Sequence, residues 1–512
     1  MNRSIFRVFS YFLVAILPGV ITLVLIRLIF QTDLSTFLPF HNDEVGYWHE
    51  INTYTNYSFA GGYYNIEEKT SQATFSPFGE HGPFFALLYG TIGKITGWTA
   101  NTGVYINIGL IFLSILAYLW IIKPTFFQTA VIGGFLCTCW VLLLYVASNL
   151  QESLHQAAGI IVACLFWKLL STSNKSKFRY MFIILTAVFI LLISIPRFTW
   201  LLLFIPFIYI LFKDKPLHLI IGFLIATVLI LLLTWIIASL YAPYPEAFYP
   251  KMIGEFQLSF SKGFSLLLHH TKSNLRDYLQ AGRDDPFLGI VQRYQVLLIL
   301  ATLFGLWFYR VIRRKTPGRK FFQESPTLVT LLLVFVPIFL SQIMFYDIYY
   351  WRDYRVFGPY ILLTILLLIS FEKKVVYYSL VGILIACNLL FISYFYQDFI
   401  HFHWAQFYYD QKAILKFQTT AHDILIYNYY PNHWCNTLLT NNYPQEFLGI
   451  PAGIGISFVM DPERVEFPLK SKYLLLEDKI YKEWLHNHSI NTQFLATSQF
   501  GNFYLNLDAR CN

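Results

Sequence analysis

From its first residues to about position 396 the chain is a succession of apolar runs, each close to the length that crosses a bilayer. This succession constrains the fold more than any motif does. A helix needs about 20 apolar residues to span, and backbone in lipid must satisfy its own hydrogen bonds, so such runs become helices. The runs fall near 5–30, 102–122, 126–148, 152–170, 178–196, 198–212, 217–241, 291–311, 327–347, 356–371 and 375–396. They predict an α-helical polytopic membrane protein with about 11 transmembrane helices. Only 13% of residues are charged and the mean hydropathy is +0.51, against about 25% charged in soluble proteins. A water-soluble enzyme is excluded.

The stretch 178–212 is too long for one span, and Pro196-Arg197 divides it. Met1–Phe30 carries Arg3, Arg7 and Arg27 and no small-residue cleavage site, so it reads as a retained first span rather than a removed signal. The net charge of +8 comes from short basic clusters between spans, which are orientation signals rather than a nucleic-acid footprint. With the N-terminus cytoplasmic, Lys123, Lys168, Lys175, Lys177, Arg179, Lys213, Lys215, the cluster from Arg310 to Lys320, Lys373 and Lys374 all fall inside. Pro83–Trp98 is apolar but short and broken by Gly90, Gly93 and Lys94, so it reads as an interfacial helix. Were it to cross, parity would put the basic loops on the wrong side.

The expected domains are therefore a membrane domain, 1–396, with external loops 31–101 and 242–290, and an external α/β domain, 397–512. In the tail, DILIYNYY (423–430) and KYLLLED (472–478) read as strands, and KIYKEWLHNH reads as a helix. Cys137, Cys139, Cys164 and Cys387 lie in spans, where a thiol is a small apolar filler. Cys435 and Cys511 lie in the tail, outside the reducing cytoplasm, and form a candidate disulfide. No CxxC pair, HExxH or Gly-rich phosphate loop occurs, so zinc hydrolysis and nucleotide chemistry have no motif to stand on.

Chemistry has its best foothold where FHNDEVGYWHEI opens the first loop. Asp43 and Glu44 sit beside the membrane interface, where low dielectric and neighbouring charges tune a carboxylate toward general-base or metal-ligand work. A hydrated acidic turn explains two adjacent acids equally well. The loop 242–290 adds His269-His270, Arg276 and Arg283-Asp284-Asp285. Adjacent histidines point apart on a helix or strand and make a poor metal site, and most of these residues read as solvated, with Arg276 and Arg283 able to close over a substrate.

Asp43-Glu44, Tyr47 and the later EHGPFFALLYGTIGKITGW resemble the first external loop of the GT-C superfamily of integral-membrane glycosyltransferases. The resemblance is to the branch of protein O-mannosyltransferases and lipid A aminoarabinose transferases, with His81-Gly82-Pro83 where that branch has His-Pro-Pro. SNLQESLHQAAGI, with Glu152 ahead of an apolar helix, ISIPRFTWLLLFIPF, with Arg197, and YYWRDYRVFGPYILL, with Arg352, Arg355 and Pro359, are similar to further elements of it. The resemblance implies transfer of a sugar from a polyprenyl-phosphate donor to a glycan, lipid or protein acceptor at the external face of an inner or plasma membrane, with inversion. It implies Asp43 as base with Glu44 in reserve, Arg197, Arg352 and Arg355 on the donor phosphate, and Glu80, His81 and Glu152 positioning substrate or a divalent cation. Each arginine also reads as a snorkelling helix end, and each of the last three residues as a helix cap or solvated surface. The resemblance leaves a divalent metal ion open as the one candidate cofactor, and no nucleic-acid partner is expected.

Two rival classes remain, a transporter or lipid flippase and a non-catalytic envelope-assembly protein. Transporters place ionisable groups inside spans near the midplane, whereas here the spans are almost free of charge and the acids and arginines gather at one face.

Overall fold

The computed structural model describes residues 3–34, 37, 42–60, 64–68, 82–173, 176–238, 248–279, 286–314, 325–346, 355–371, 375–403, 412, 416–417, 421, 437–441, 448–459, 461–498 and 500–509. Among these, eight helices are long and apolar enough to cross a membrane: Ile5–Ile29, Thr102–Ile122, Glu152–Ser171, Lys177–Ser194, Pro216–Ile237, Arg293–Ile312, Pro326–Phe345 and Tyr377–His401. The polytopic helical fold read from the apolar runs is the fold observed. Glu80, His81, Arg283, Arg352, Cys435 and Cys511, together with the strand expected at 423–430, lie outside the described residues.

In chain order the helices are α1 (Arg3–Ile29), α2 (Asn42–Tyr57), α3 (Phe84–Thr96), α4 (Thr102–Ile122), α5 (Phe126–Thr138), α6 (Trp140–Val146), α7 (Glu152–Ser171) and α8 (Lys177–Ser194). There follow α9 (Phe204–Phe212), α10 (Pro216–Ala238), α11 (Phe248–Leu258), α12 (Phe260–Leu279), α13 (Pro286–Arg314), α14 (Pro326–Phe345), α15 (Gly358–Phe371), α16 (Val375–Asp398) and α17 (Asp478–His488).

Three of the expected spans differ from straight crossings. The run 126–148 is two helices, α5 and α6, bent by 57° at Cys139. The cause is local: Cys139 takes an extended conformation, φ −65° and ψ 96°, and the Thr138 hydroxyl donates back to the Gly134 carbonyl at 2.9 Å, which opens the helix at that point. The run 198–212 begins as a 3₁₀ turn, Phe198–Leu203, before α9, because Arg197 is extended at φ −155°. The helix Arg355–Phe371 is shorter than a full crossing, and positions 357–369 are all buried. A helix that is apolar all round belongs in the middle of a bundle, and α15 packs there against α7. Gly159 makes that approach possible, since a Cβ at this position would overlap the Pro359 carbonyl oxygen.

α3 is 13 residues long, too short to span. It lies against α2, where Gly90 and Gly93 leave no room for a Cβ beside Tyr54 and Thr55.

The tail supplies five strands of a mixed six-stranded sheet, order β1-β3-β2-β4-β6-β5: β1 (Tyr64–Ile66), β2 (Thr437–Thr440), β3 (Gly455–Phe458), β4 (Tyr473–Leu476), β5 (Thr492–Ser498) and β6 (Gly501–Asn506). β1, β3, β2 and β4 pair in parallel, while β4–β6 and β6–β5 are antiparallel. The edge strand β1 comes from the first loop, so that loop is woven into the sheet. The buried Glu68 just beyond β1 fastens the join by accepting from the backbone N–H of Lys470 at 2.6 Å and of Ser471 at 2.9 Å.

α2 carries the sheet onto the helices. Val45 and Trp48 share an apolar cluster with Leu438, Ile456, Tyr473 and Phe503. His49 Nε2 bonds the Ile454 carbonyl at 2.7 Å, and Thr53 Oγ1 accepts from Gly453 N–H at 3.2 Å.

Candidate active site

α2 begins with Asp43 and Glu44 in its first turn, where the exposed N–H groups of a helix start favour negative charge. Adjacent helical positions diverge by about 100°, so the two acids meet different neighbours. Glu44 is fully buried. Its Oε1 accepts from the Asn149 backbone N–H at 2.6 Å and from Asn149 Nδ2 at 3.3 Å, tying α2 to the loop between α6 and α7. Asp43 faces the other way, toward Arg355.

Arg355 sits in the turn just before α15, and its guanidinium bridges two acids. Nη2 donates to Asp43 Oδ2 at 2.8 Å, and Nε lies 3.3 Å from Glu152 Oε1. Glu152 opens α7 and takes a second guanidinium, Arg197 Nη2, at 3.0 Å. The structure thus joins Asp43, Arg355, Glu152 and Arg197 in one chain of alternating charge, drawn from four separate elements. Its burial is graded: the Glu152 side chain is 4% exposed, Arg197 13%, Arg355 23% and Asp43 39%. Glu152 is the inner anchor and Asp43 the outer end. Arg197 Nη1 is buried and has no hydrogen-bond partner among the described residues, a donor left over after Glu152 is satisfied.

The backbone around this chain is held by neutral polar groups. Asn107 Nδ2 donates to the carbonyls of Val146 at 3.2 Å and Ser148 at 2.6 Å, and Tyr89 donates to Asn107 Oδ1 at 2.7 Å. Gln156 Nε2 donates to the Val141 carbonyl at 2.7 Å, and a Cβ at Gly103 would strike Asn149. On the far side Trp200 Nε1 donates to His155 Nδ1 at 3.0 Å, and the Thr199 and Tyr360 hydroxyls are 2.9 Å apart. These contacts fix the turn that presents Arg197 and bind it to α7 and α15. Buried hydrogen-bonded groups of this kind are costly to leave unmade, which sets the charged chain on a rigid frame.

Of the residues singled out in the sequence, Asp43, Glu152, Arg197 and Arg355 come together, and Glu44 stands behind them as a tether. Arg276 is on α12, mostly exposed and 3.6 Å from Asp277. Among the described residues no group of three His, Cys, Asp or Glu is placed to hold a metal ion. The donor chemistry agrees, because Asp43 and Glu152 face guanidinium groups and Glu44 is engaged by Asn149. Among the described residues these carboxylates are not grouped around a divalent cation, and Glu80 and His81 lie outside those residues.

The sequence reading missed Asn149, Asn107, Tyr89 and the pair His155–Trp200. Asn149 and His155 stand in the SNLQESLHQAAGI string around Glu152, but neutral polar residues at helix ends carry no periodicity or charge to mark them.

No protein-family model matches the chain, and no curated protein matches it. Among solved structures the chain is similar to the oligosaccharyltransferase of Archaeoglobus fulgidus, crystallised as a complex with zinc and sulfate. The identity is 11%, the match covers 96% of this chain and 73% of that one, and the TM-score is 0.45. A likeness at that level carries no argument about mechanism, so the functional reading stands on the residues themselves.

Proposed function

We propose that the chain is a membrane glycosyltransferase of GT-C type that moves a sugar from a polyprenyl-phosphate carrier to an acceptor hydroxyl or amine at the external face. The observation that carries this reading is the charged chain Asp43–Arg355–Glu152–Arg197 at the helix ends that bear the sheet domain. A lipid-phosphate donor keeps its tail in the bilayer, so its phosphate must be met at the helix ends. Two guanidinium groups held by one buried carboxylate suit that anion, because arginine matches phosphate oxygens with a planar fork of donors.

The step balances with the chain's own groups. The donor phosphate competes with Asp43 for Arg355 and takes the spare donor of Arg197. Asp43, released, accepts the proton of the acceptor while the acceptor's lone pair forms a bond to the anomeric carbon from the face opposite the phosphate. The bond from that carbon to the phosphate oxygen breaks, and its electron pair leaves with the phosphate, which gains one negative charge. Arg197 and Arg355 stabilise that charge where it grows, which is where fixed donors lower a barrier most. One base and one stabilised leaving group make a single displacement, with inversion at the sugar. Arg352 belongs to the same sequence element and is assigned to the phosphate with them.

The test is transfer by purified protein in lipid nanodiscs, using polyprenyl-phosphate sugars and following release of the polyprenyl phosphate. Release that requires both donor and acceptor supports the reading. Donor movement across the bilayer without bond cleavage would replace it with the flippase reading.

A further inference from the structure

Helix α12 carries three distinct faces over a length of about 30 Å. Phe260, Phe264, Leu268, Leu275 and Leu279 recur at helical spacing and are all exposed, from 43% to 79% counting the preceding Leu258. Gly263, Asn274 and Tyr278 are buried against the protein. Lys262, His269, Lys272 and Arg276 are exposed on the third side.

The buried face fixes the depth of the helix. Asn274 Nδ2 donates to the carbonyls of Ile343 at 2.8 Å and Tyr346 at 2.5 Å, the closing residues of the membrane-crossing helix Pro326–Phe345. Tyr278 packs edge-on against Phe339 of the same helix, ring centroids 5.5 Å apart. A helix tied to the last turn of a span lies at the level where acyl chains give way to headgroups. Its apolar stripe cannot face water there without cost, and a basic rim beside it is complementary to anionic headgroups.

We propose that α12 is a membrane-surface helix whose apolar stripe sits among the upper acyl chains and whose edge of Lys262, His269, Lys272 and Arg276 binds anionic phospholipid headgroups. The occupant is bilayer lipid rather than a protein partner, because the stripe lies at bilayer depth. The proposal is independent of the sugar-transfer reading.

Two measurements on the full chain in nanodiscs test it. Nitroxides placed through Phe264→Cys, Leu268→Cys and Leu275→Cys, with native cysteines changed to serine, should collide with oxygen and be shielded from a water-soluble nickel chelate. Labels placed through Ser265→Cys and His269→Cys, on the basic side of the helix, should show more chelate contact. Equal chelate access at all five positions would remove the helix from the membrane surface.

In the otherwise native chain, spin-labelled phosphatidylglycerol should be immobilised in preference to spin-labelled phosphatidylcholine. The preference should fall in Lys262→Gln/Lys272→Gln/Arg276→Gln, by about fivefold per charge at low salt, and persist in Lys262→Arg/Lys272→Arg/Arg276→Lys. An unchanged preference in the neutralised variant would overturn the headgroup site, as would equal loss in the charge-conserving one.

Discussion

The Arg355 guanidinium donates to Asp43 Oδ2 at 2.8 Å across 312 positions of chain, joining the first turn of α2 to the turn that opens α15. The pair is partly exposed, whereas the second partner of Arg355, Glu152, is buried. The inner bond therefore holds Arg355 in place and the outer one can open to solvent. In the proposed reaction a phosphate ester arriving at this face would offer Arg355 a replacement for Asp43, and the freed Asp43 would be available to a proton. On that reading, a buried acid that anchors beside a more exposed acid that exchanges partners would let substrate binding prepare the base.

Asp43→Asn should keep donor binding and lose transfer by about 10²- to 10⁴-fold, the usual contribution of a positioned base, since the amide has nearly the same size and only the proton acceptor is gone. Arg355→Ala should weaken donor binding and turnover together, because phosphate is present in ground and transition states alike. Parallel measurements of lipid-sugar binding and of transfer in nanodiscs separate the two. Wild-type transfer by Asp43→Asn would remove Asp43 from the mechanism.

Glu44 should behave differently from its neighbour. Its carboxylate is buried and accepts from Asn149, so Glu44→Ala should destabilise the protein by about 1–3 kcal/mol through the unsatisfied Asn149 N–H. Glu44→Gln keeps a carbonyl acceptor and should retain transfer per folded molecule. Thermal unfolding in detergent, read beside specific activity, decides it. A stable, inactive Glu44→Gln would move the base by one residue.

Much of this was legible from the sequence, and the limits have physical causes. Length and hydropathy suffice for spans, because lipid enforces helices whatever the details. The placement of Asp43, Glu152, Arg197 and Arg355 near one membrane face follows from counting spans. Their mutual distances do not, since these depend on how α7 and α15 pack, and that closeness is set by Gly159, a single residue without a side chain. The partition between Asp43 and Glu44 depends on where Asn149 sits in a loop. The break at Cys139 involves no proline, and the three-residue β1 is too short to show alternation.

Gly159 gives the third prediction. Alanine is the better helix former by about 1 kcal/mol, but its methyl would overlap the Pro359 carbonyl oxygen, a backbone atom that cannot turn aside. Overpacking of this kind costs about 1–3 kcal/mol. Gly159→Ala should lower the unfolding temperature and reduce donor binding, because Arg355 lies four positions before Pro359. Stability equal to or above wild type would show that α7 and α15 are not in close contact.

The docking of the sheet domain should depend on pH through His49. Burial pushes this imidazole down from its usual value to about 4, and its bond to the Ile454 carbonyl only partly opposes that. The folded protein therefore holds His49 neutral where the unfolded chain would protonate it. A depressed pKa in a base means that stability is fully present above about pH 6.5 and is lost as pH falls from there toward about 4. Below that the loss levels off. His49→Gln, whose amide N–H can reach the same carbonyl, should flatten the dependence. Unfolding midpoints across this range, compared between the two proteins, test it; parallel curves would exclude His49 as the titrating group.

The final prediction concerns sidedness, on which the chemistry depends. In the proposed reaction donor and acceptor meet Asp43 and Arg355 on one face. The sheet domain joins that face through α2, while Arg310, Arg313 and Arg314 close the C-terminal end of α13. Introduced cysteines in the tail, for example through Ser489→Cys or Lys479→Cys, should react with an impermeant maleimide in intact cells. Cysteines introduced between positions 315 and 320 should react only after permeabilisation. Basic loops set orientation by staying cytoplasmic, and α14, α15 and α16 lie between the two sets, so they label oppositely only if the short α15 crosses with the other two. Labelling of the tail only after permeabilisation would place the four charged residues in the cytoplasm, and the lipid-phosphate donor would then have to be sought in the inner leaflet.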